Sequence, residues 1–362
     1  MRIAFGHGSR VFSGRATRLA AGSVLMLLAP ILAACGGNGG SGGTAPNLPA
    51  GGTTTSVPSA ASSSTWSSPT PVSHGAPLVA LACPTTSFCL ALDDQGRAYR
   101  FNGSTWLPVG NSGLGNAGSP SLSCTGPTFC VAMAQGGNQV VLWSGTGFTA
   151  PTTLSTQGLG AVGCASPTFC VAIDGEGNAR YFDGSTWSGR ANDWGSVAAI
   201  SCPTAGFCAS VGGGMSIWNG SSWSEPQPYG LVSGQTGVSC PTVTFCQVVD
   251  GTGQVGTWNG SSWGSAVNVP MSGTSATEGT PGTGNGVVLN GVSCTSAAFC
   301  VAVGSMGYAY TWNGSAWSSQ QVDSLVALSA VSCVVPTTAS SPMPAVVRCV
   351  AVDHQGDAVI RG

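Results

Sequence analysis

Fourteen cysteines fall into seven pairs along this chain: Cys83/Cys89, Cys124/Cys130, Cys164/Cys170, Cys202/Cys208, Cys240/Cys246, Cys294/Cys300 and Cys333/Cys349. Six pairs enclose five residues and the seventh encloses fifteen. Successive first cysteines stand 41, 40, 38, 38, 54 and 39 residues apart. A period of about forty marks a propeller blade or a helical repeat, and the content of each unit decides for the propeller. An apolar run leads into the first cysteine (LVALAC, LGAVGC, VAAISC), and a second opens with Phe-Cys (FCLAL, FCVAI, FCASV). After a turn, a third run closes in Asn-Gly or Asp-Gly and leads to an aromatic residue. The second runs are apolar without alternation, as in a strand covered on both faces.

The turns fit a four-stranded meander. Between second and third runs lie DDQG, DGEG, DGTG and DHQG, rich in residues that tolerate positive φ. Asn102-Gly103, Asp183-Gly184, Asn219-Gly220, Asn259-Gly260 and Asn313-Gly314 then supply a strong short-range hairpin signal. Trp106, Trp187, Trp223, Trp263 and Trp317 follow, with Phe148 in the second unit, and their recurrence favours packing between blades. The seventh unit stops at Gly362, before a fourth strand, while Ser64-Thr65-Trp66-Ser67-Ser68 matches such a strand with none before it. The expected fold is therefore all-β: a seven-bladed propeller of four-stranded antiparallel blades, one local disulfide in each, the last blade closed by the N-terminal strand.

Zinc binding by the cysteines would need neighbouring pairs or histidine partners, and beyond the N-terminal segment only His74 and His354 remain. Seven local disulfides are expected instead, each a staple between first and second strands that contributes about 2 kcal/mol through its short loop. No metal or cofactor is expected.

Oxidised cysteines fit the N-terminus. Residues 1–34 carry a basic segment free of acids, then LAAGSVLMLLAPILAA, which is short for a membrane span. The run ends in Leu32-Ala33-Ala34-Cys35, which resembles the lipobox of bacterial lipoproteins. That resemblance implies cleavage before Cys35, lipidation of its sulfur and anchoring on the outer face of the cell membrane. Residues 35–63 form a Gly/Ser/Thr/Pro tether with a reach of about 30 Å, and 64–362 form the propeller.

Only 6% of residues are charged and lysine is absent. Beyond residue 20, six arginines face twelve acids, a balance that argues against a nucleic-acid partner. The first strands, which line a propeller's channel, carry no charge. Of the acids, Asp93, Asp94, Asp174, Glu176, Asp250 and Asp353 fall in second-to-third turns and share one face of the disc. They are the candidate ligand face, for a cation or a polar molecule, or else residues chosen for turn geometry. No catalytic residues are assigned. The long interval contains an insertion within 265–286 on that same face, of a kind that carries function or is a tolerated loop.

Gly103-Ser104-Thr105-Trp106 and Asp183-Gly184-Ser185-Thr186-Trp187 resemble the Asp-box of sialidase-like propellers, Ser-x-Asp-x-Gly-x-Thr-Trp, which joins third and fourth strands. Here the acid stands one residue nearer the glycine and is mostly asparagine. In that family the Asp-box is structural, so the resemblance implies a hairpin and no catalysis. The unit CPTxxFCxAxD followed by WNGSxW is also similar to repeats in secreted proteins of actinobacteria. The expected function is a lipid-anchored, monomeric binding or scaffold module at the cell envelope, with an envelope glycan or protein as partner. The alternative is a glycan-active hydrolase or lyase with its acids on the turn face.

Overall fold

The computed structural model describes residues 65–362, apart from 117, 193–194, 228–230, 232–233, 271–274, 278–286 and 337–346. Cys35, the signal segment and the tether lie outside the described residues. Seven antiparallel sheets follow one another, each built outward from an inner strand. The inner strands are Leu78–Thr85, Pro120–Gly126, Leu159–Ser166, Val197–Thr204, Gln235–Thr242, Leu289–Ser296 and Leu328–Val334. We number the blades 1 to 7 in that order. One face of the disc, the turn face, carries the second-to-third turns and the connections between blades; the other, the hairpin face, carries the disulfide turns and the Asn-Gly hairpins.

Burial follows the apolar second runs: Phe88–Asp93 is buried at every position. The core is divided among the blade boundaries. Leu90 and Leu92 of blade 1 pack with Val141 and Trp143 of blade 2, and an equivalent cluster fills each of the other six boundaries.

All seven disulfides form between first and second strands: Cys83–Cys89, Cys124–Cys130, Cys164–Cys170, Cys202–Cys208, Cys240–Cys246, Cys294–Cys300 and Cys333–Cys349, with Cα–Cα separations of 4.0 to 4.1 Å. The staples form as the spacing predicts, and the structure gives the cysteines a second role. The second cysteine of every pair, Cys89, Cys130, Cys170, Cys208, Cys246, Cys300 and Cys349, is buried at 2% exposure or less. Each belongs to the cluster shared with the preceding blade, Cys89 beside Val350 and Val352, Cys130 beside Leu90 and Leu92. The physical reason is the pleat: successive side chains of a second strand point to opposite faces, so the cysteine faces the previous blade and the residue after it the next. These seven sulfurs are therefore core atoms, closed to a ligand or a metal, as well as cross-links.

In the hairpins, Asn102 Oδ1 accepts the N–H groups of Ser104 and Thr105 at 3.0 and 2.9 Å. Asp183 does the same in blade 3, and the N–H donors of Thr186 and Ser185 hold its carboxyl well below the usual range.

The N-terminal segment closes the ring. Thr70–Pro71 pairs with Ala358 and Asp357 of blade 7, and Trp66 stands opposite Arg361. Ser67 donates its N–H to Ile360 O at 2.8 Å, while its hydroxyl accepts the Ile360 N–H at 3.0 Å. Ser224 makes the same two bonds to Ile217 within blade 4, so the clasp reproduces an ordinary outer strand. Beyond it, Val72 and Ser73 both donate to Gly356 O. Gly356 has φ 89°, and a Cβ there would strike Ser73 and the carbonyl of Ala76.

Two blades depart from four regular strands. Blade 4 keeps three, ending in Met215–Trp218, and its outer segment meets that strand only in isolated bridges at Trp223 and Gln227. Pro226 lies between those bridges and has no N–H for a ladder. Blade 6 has five strands, because Ser275–Thr277, part of the 265–286 insertion, pairs with Ala316–Gln321. That part of the insertion is thus an outer strand and not a free loop.

Candidate functional site

The seven inner strands surround a channel that opens on the turn face in a cavity of about 540 Å³. The backbone of each inner strand is hydrogen-bonded on one side to its own second strand, so a side chain must stitch it to the neighbouring blade. Ser121 hydroxyl accepts the Val162 N–H at 3.1 Å, and Thr236 donates to Leu289 O at 2.7 Å. Asn290 Nδ2 donates to Leu328 O at 2.8 Å, and Ser329 hydroxyl donates to Leu78 O and Val352 O. Each of those hydroxyls and amides thus holds two blades together.

Two exposed side chains from second-to-third turns complete the mouth, Gln135 of blade 2 and His354 of blade 7. No carboxylate, lysine or arginine is among the described residues that line it. The mouth therefore combines an apolar wall with the two exposed polar side chains Gln135 and His354 and no fixed charge, a surface that favours neutral ligands over ionic ones.

The six candidate acids divide into two groups. Asp93, Asp174, Asp250 and Asp353 end their second strands and are buried. Each turns its Oδ1 back to accept two N–H groups of its own turn: from Gln95 and Arg97, from Glu176 and Asn178, from Thr252 and Gln254, and from Gln355 and Asp357. The second oxygen finds a different partner in each blade. Asp93 takes the Arg97 guanidinium at 2.6 Å and the Tyr99 hydroxyl at 3.1 Å. Asp174 takes the Ser155 hydroxyl from the blade 2–3 connection at 2.8 Å. Burial alone would raise the Asp174 carboxyl, but the donors from Asn178, Ser155 and Glu176 together lower it. Asp250 takes the Thr252 hydroxyl.

Asp353 faces another carboxyl. Asp323, in the blade 6–7 connection, is 7% exposed and lies against it where Ser155 lies against Asp174. Burial first, and then the bond to Asp353, push the Asp323 carboxyl up to about 6. Glu176 is exposed in its turn, whereas Asp94 is half-buried, with its Oδ1 buried and without a hydrogen-bond partner among the described residues. Among the described residues, no three His, Cys, Asp or Glu side chains converge in a way that would hold a metal ion.

Among the described residues, the arginines do not converge on a carboxylate-binding site. Arg97 pairs with Asp93, and Arg348 reaches across to blade 1, donating to Thr86 O at 3.0 Å and lying 5.0 Å over the Phe101 ring. Arg348, beside Cys349 in the sequence, is therefore a staple between the last and first blades. The aromatics serve the blade boundaries: Trp143, Trp218, Trp223, Trp312 and Trp317 are buried. The indole N–H groups of Trp143, Trp218, Trp258 and Trp312 each donate to a carbonyl of their own disulfide turn.

No protein-family model matches this sequence, and no curated protein matches it in sequence. Solved structures match its fold. A structure described as YCF48 bound to D1 peptide has a TM-score of 0.60 at 12% identity, over 82% of this chain and 94% of that one. The RRP9 WD40 repeats give 0.62 at 10% identity, over 80% and 98%. YCF48 from Cyanidioschyzon merolae gives 0.57 at 13%, over 82% and 98%. At these identities the likeness is one of fold: this chain is built as those propellers are.

Proposed function

We propose that this protein is a lipid-anchored, extracytoplasmic binding module that acts at the cell envelope, with the channel mouth on its turn face as the contact site. The uncharged mouth carries the proposal, because an uncharged cavity of about 540 Å³ edged by the exposed side chains of Gln135 and His354 suits a neutral segment of an envelope protein or glycan. Glu176 is exposed on the same face. Support for the anchor is the Leu32-Ala33-Ala34-Cys35 sequence, with the thioether on Cys35 and the tether lifting the propeller off the membrane. One of the fold's neighbours is described with a bound peptide, which makes a peptide segment the first partner to test. The hydrolase alternative draws no support from the acids, since Asp93, Asp174, Asp250 and Asp353 are each committed to their own turns.

The test is affinity capture from solubilised envelope with the full-length lipoprotein, comparing wild type with a Gln135→Ala/His354→Ala variant. Both side chains are exposed, so the variant keeps its melting temperature. Specific captured species that the variant fails to retain support the proposal; the same species retained equally by both, or none by either, count against it.

A further inference from the structure

A second cleft, of about 640 Å³, runs along the outer edge between blades 4 and 5 and is independent of the channel mouth. Its floor is the Trp258 and Trp263 pair, with ring centroids 5.6 Å apart and planes at 36°. Ile217 forms one wall, and Ser224, Gln227 and Ser262 stand at its edges. No charged residue is among the described residues that line it.

This boundary departs from its neighbours in the repeat. Five third strands end in a buried aromatic: Phe101 at 1% exposed, Trp143 at 1%, Phe182 at 3%, Trp218 at 8% and Trp312 at 4%. Trp258 holds the same position and the same anchor, its indole N–H on Val243 O at 3.2 Å, yet it is only half-buried. At the preceding boundary Tyr181 covers the ring: it lies 5.0 Å from Trp218, and its hydroxyl accepts the Trp223 indole N–H at 2.8 Å. Blade 4 offers Ile217 at the position of Tyr181, with neither ring nor hydroxyl. The irregular outer segment of blade 4 adds no continuous strand that would cover the gap.

Two half-exposed indoles beside hydroxyl and amide groups, without charge, match the two sides of a pyranose: its C–H face lies on an aromatic ring, and its hydroxyls reach polar side chains. An aliphatic side chain would fill the floor but does not itself present a C–H face flanked by hydroxyls to the indoles and the polar edge together. From this geometry we infer that the blade 4–5 cleft is a binding site for a neutral polysaccharide chain.

The probes are cellohexaose, chitohexaose and maltohexaose, titrated into the full-length protein in detergent while its tryptophan fluorescence is followed. At least one hexasaccharide is expected to bind saturably, and Trp263→Ala to weaken it by about tenfold or more. Because Trp263→Ala also removes packing, Ile217→Tyr is the second variant: it fills the cleft as Tyr181 fills its neighbour, keeps the fold and abolishes binding. Gln135→Ala/His354→Ala leaves sugar binding unchanged, which separates this site from the channel mouth. The inference is overturned if none of the three sugars binds, if binding survives Ile217→Tyr, or if binding is lost in the channel-mouth variant instead.

Discussion

The hydroxyl of Ser332, in the last blade, accepts the backbone N–H of Cys83, in the first, at 2.9 Å. The serine immediately before the first cysteine makes this bond at four further boundaries: Ser123 to Cys164, Ser201 to Cys240, Ser239 to Cys294 and Ser293 to Cys333. Where that residue is Ala82 or Gly163, the hydroxyl is absent. The Ser-Cys dipeptide thus does two jobs, since the cysteine staples its own blade and the serine grips the next.

Ser332→Ala should therefore cost about 1–3 kcal/mol, because the Cys83 N–H loses its acceptor at the closing boundary. Ala82→Ser, which supplies the acceptor to the Cys124 N–H, should gain about 1 kcal/mol. Chemical denaturation of both variants reads the two signs. Equal stability in all three proteins would mean that the belt carries no net energy.

The clasp makes a second prediction. Gly356→Ala puts a methyl group against Ser73 and the Ala76 carbonyl at a backbone angle that side chains resist, so the N-terminal strand should be displaced. The expected result is a large drop in melting temperature together with rapid proteolysis near residues 65–75. A melting temperature close to that of wild type would show that the clasp contributes little.

Asp250→Ala strands the N–H groups of Thr252 and Gln254 and should lose about 2 kcal/mol. Glu176→Ala, at an exposed turn position, should leave stability unchanged. Calcium added to wild type should not raise the melting temperature, because the buried carboxylates already have donors. A calcium-dependent rise abolished by Asp250→Ala would restore the cation-site expectation.

The Asp323 carboxyl, pushed up to about 6, sets a pH dependence. Its folded value lies above the unfolded one of about 3.9, so the folded state holds this proton more tightly. The contribution is fully present below about pH 4 and is lost as pH rises through about 6. Asp353 and Asp357 are the charged neighbours, and Asp357 is itself raised, by burial and then by Asp323. Asp323→Ser, copying Ser155, should be more stable than wild type at pH 7.5 and lose that advantage at pH 4. Denaturation at both values measures the difference; an advantage that is the same at both would contradict the assignment.

Much of this architecture was legible in the residues. The interval between cysteines set the number of blades, Asn-Gly placed the hairpins, and Trp66 in Ser64–Ser68 located the closing strand. What escaped depends on contacts between units. Cysteine spacing announces the pairs, but only the neighbouring blade shows that Cys89 and its equivalents fill the boundary core. A serine before cysteine reads as an ordinary strand residue until the next blade's Cys N–H is seen beside it. The candidate acids were found as a face because turns share a face by topology, but only the side-chain direction shows Asp93, Asp174, Asp250 and Asp353 turned inward. Asp323 stands outside any turn signal, and its role comes from Asp353, thirty residues later in the chain. The open blade 4–5 cleft goes with the irregular outer segment of blade 4 as well as with Ile217, which stands where blade 3 has Tyr181, and only the structure shows that segment.

The most direct test of the binding function is photo-crosslinking in the intact envelope, with p-benzoylphenylalanine in place of Gln135 at the channel mouth or of Ser104 on the hairpin face. The account predicts discrete crosslinked species from position 135 and none of them from position 104. The same species from both positions, or crosslinks from position 104 alone, would contradict a binding site at the channel mouth.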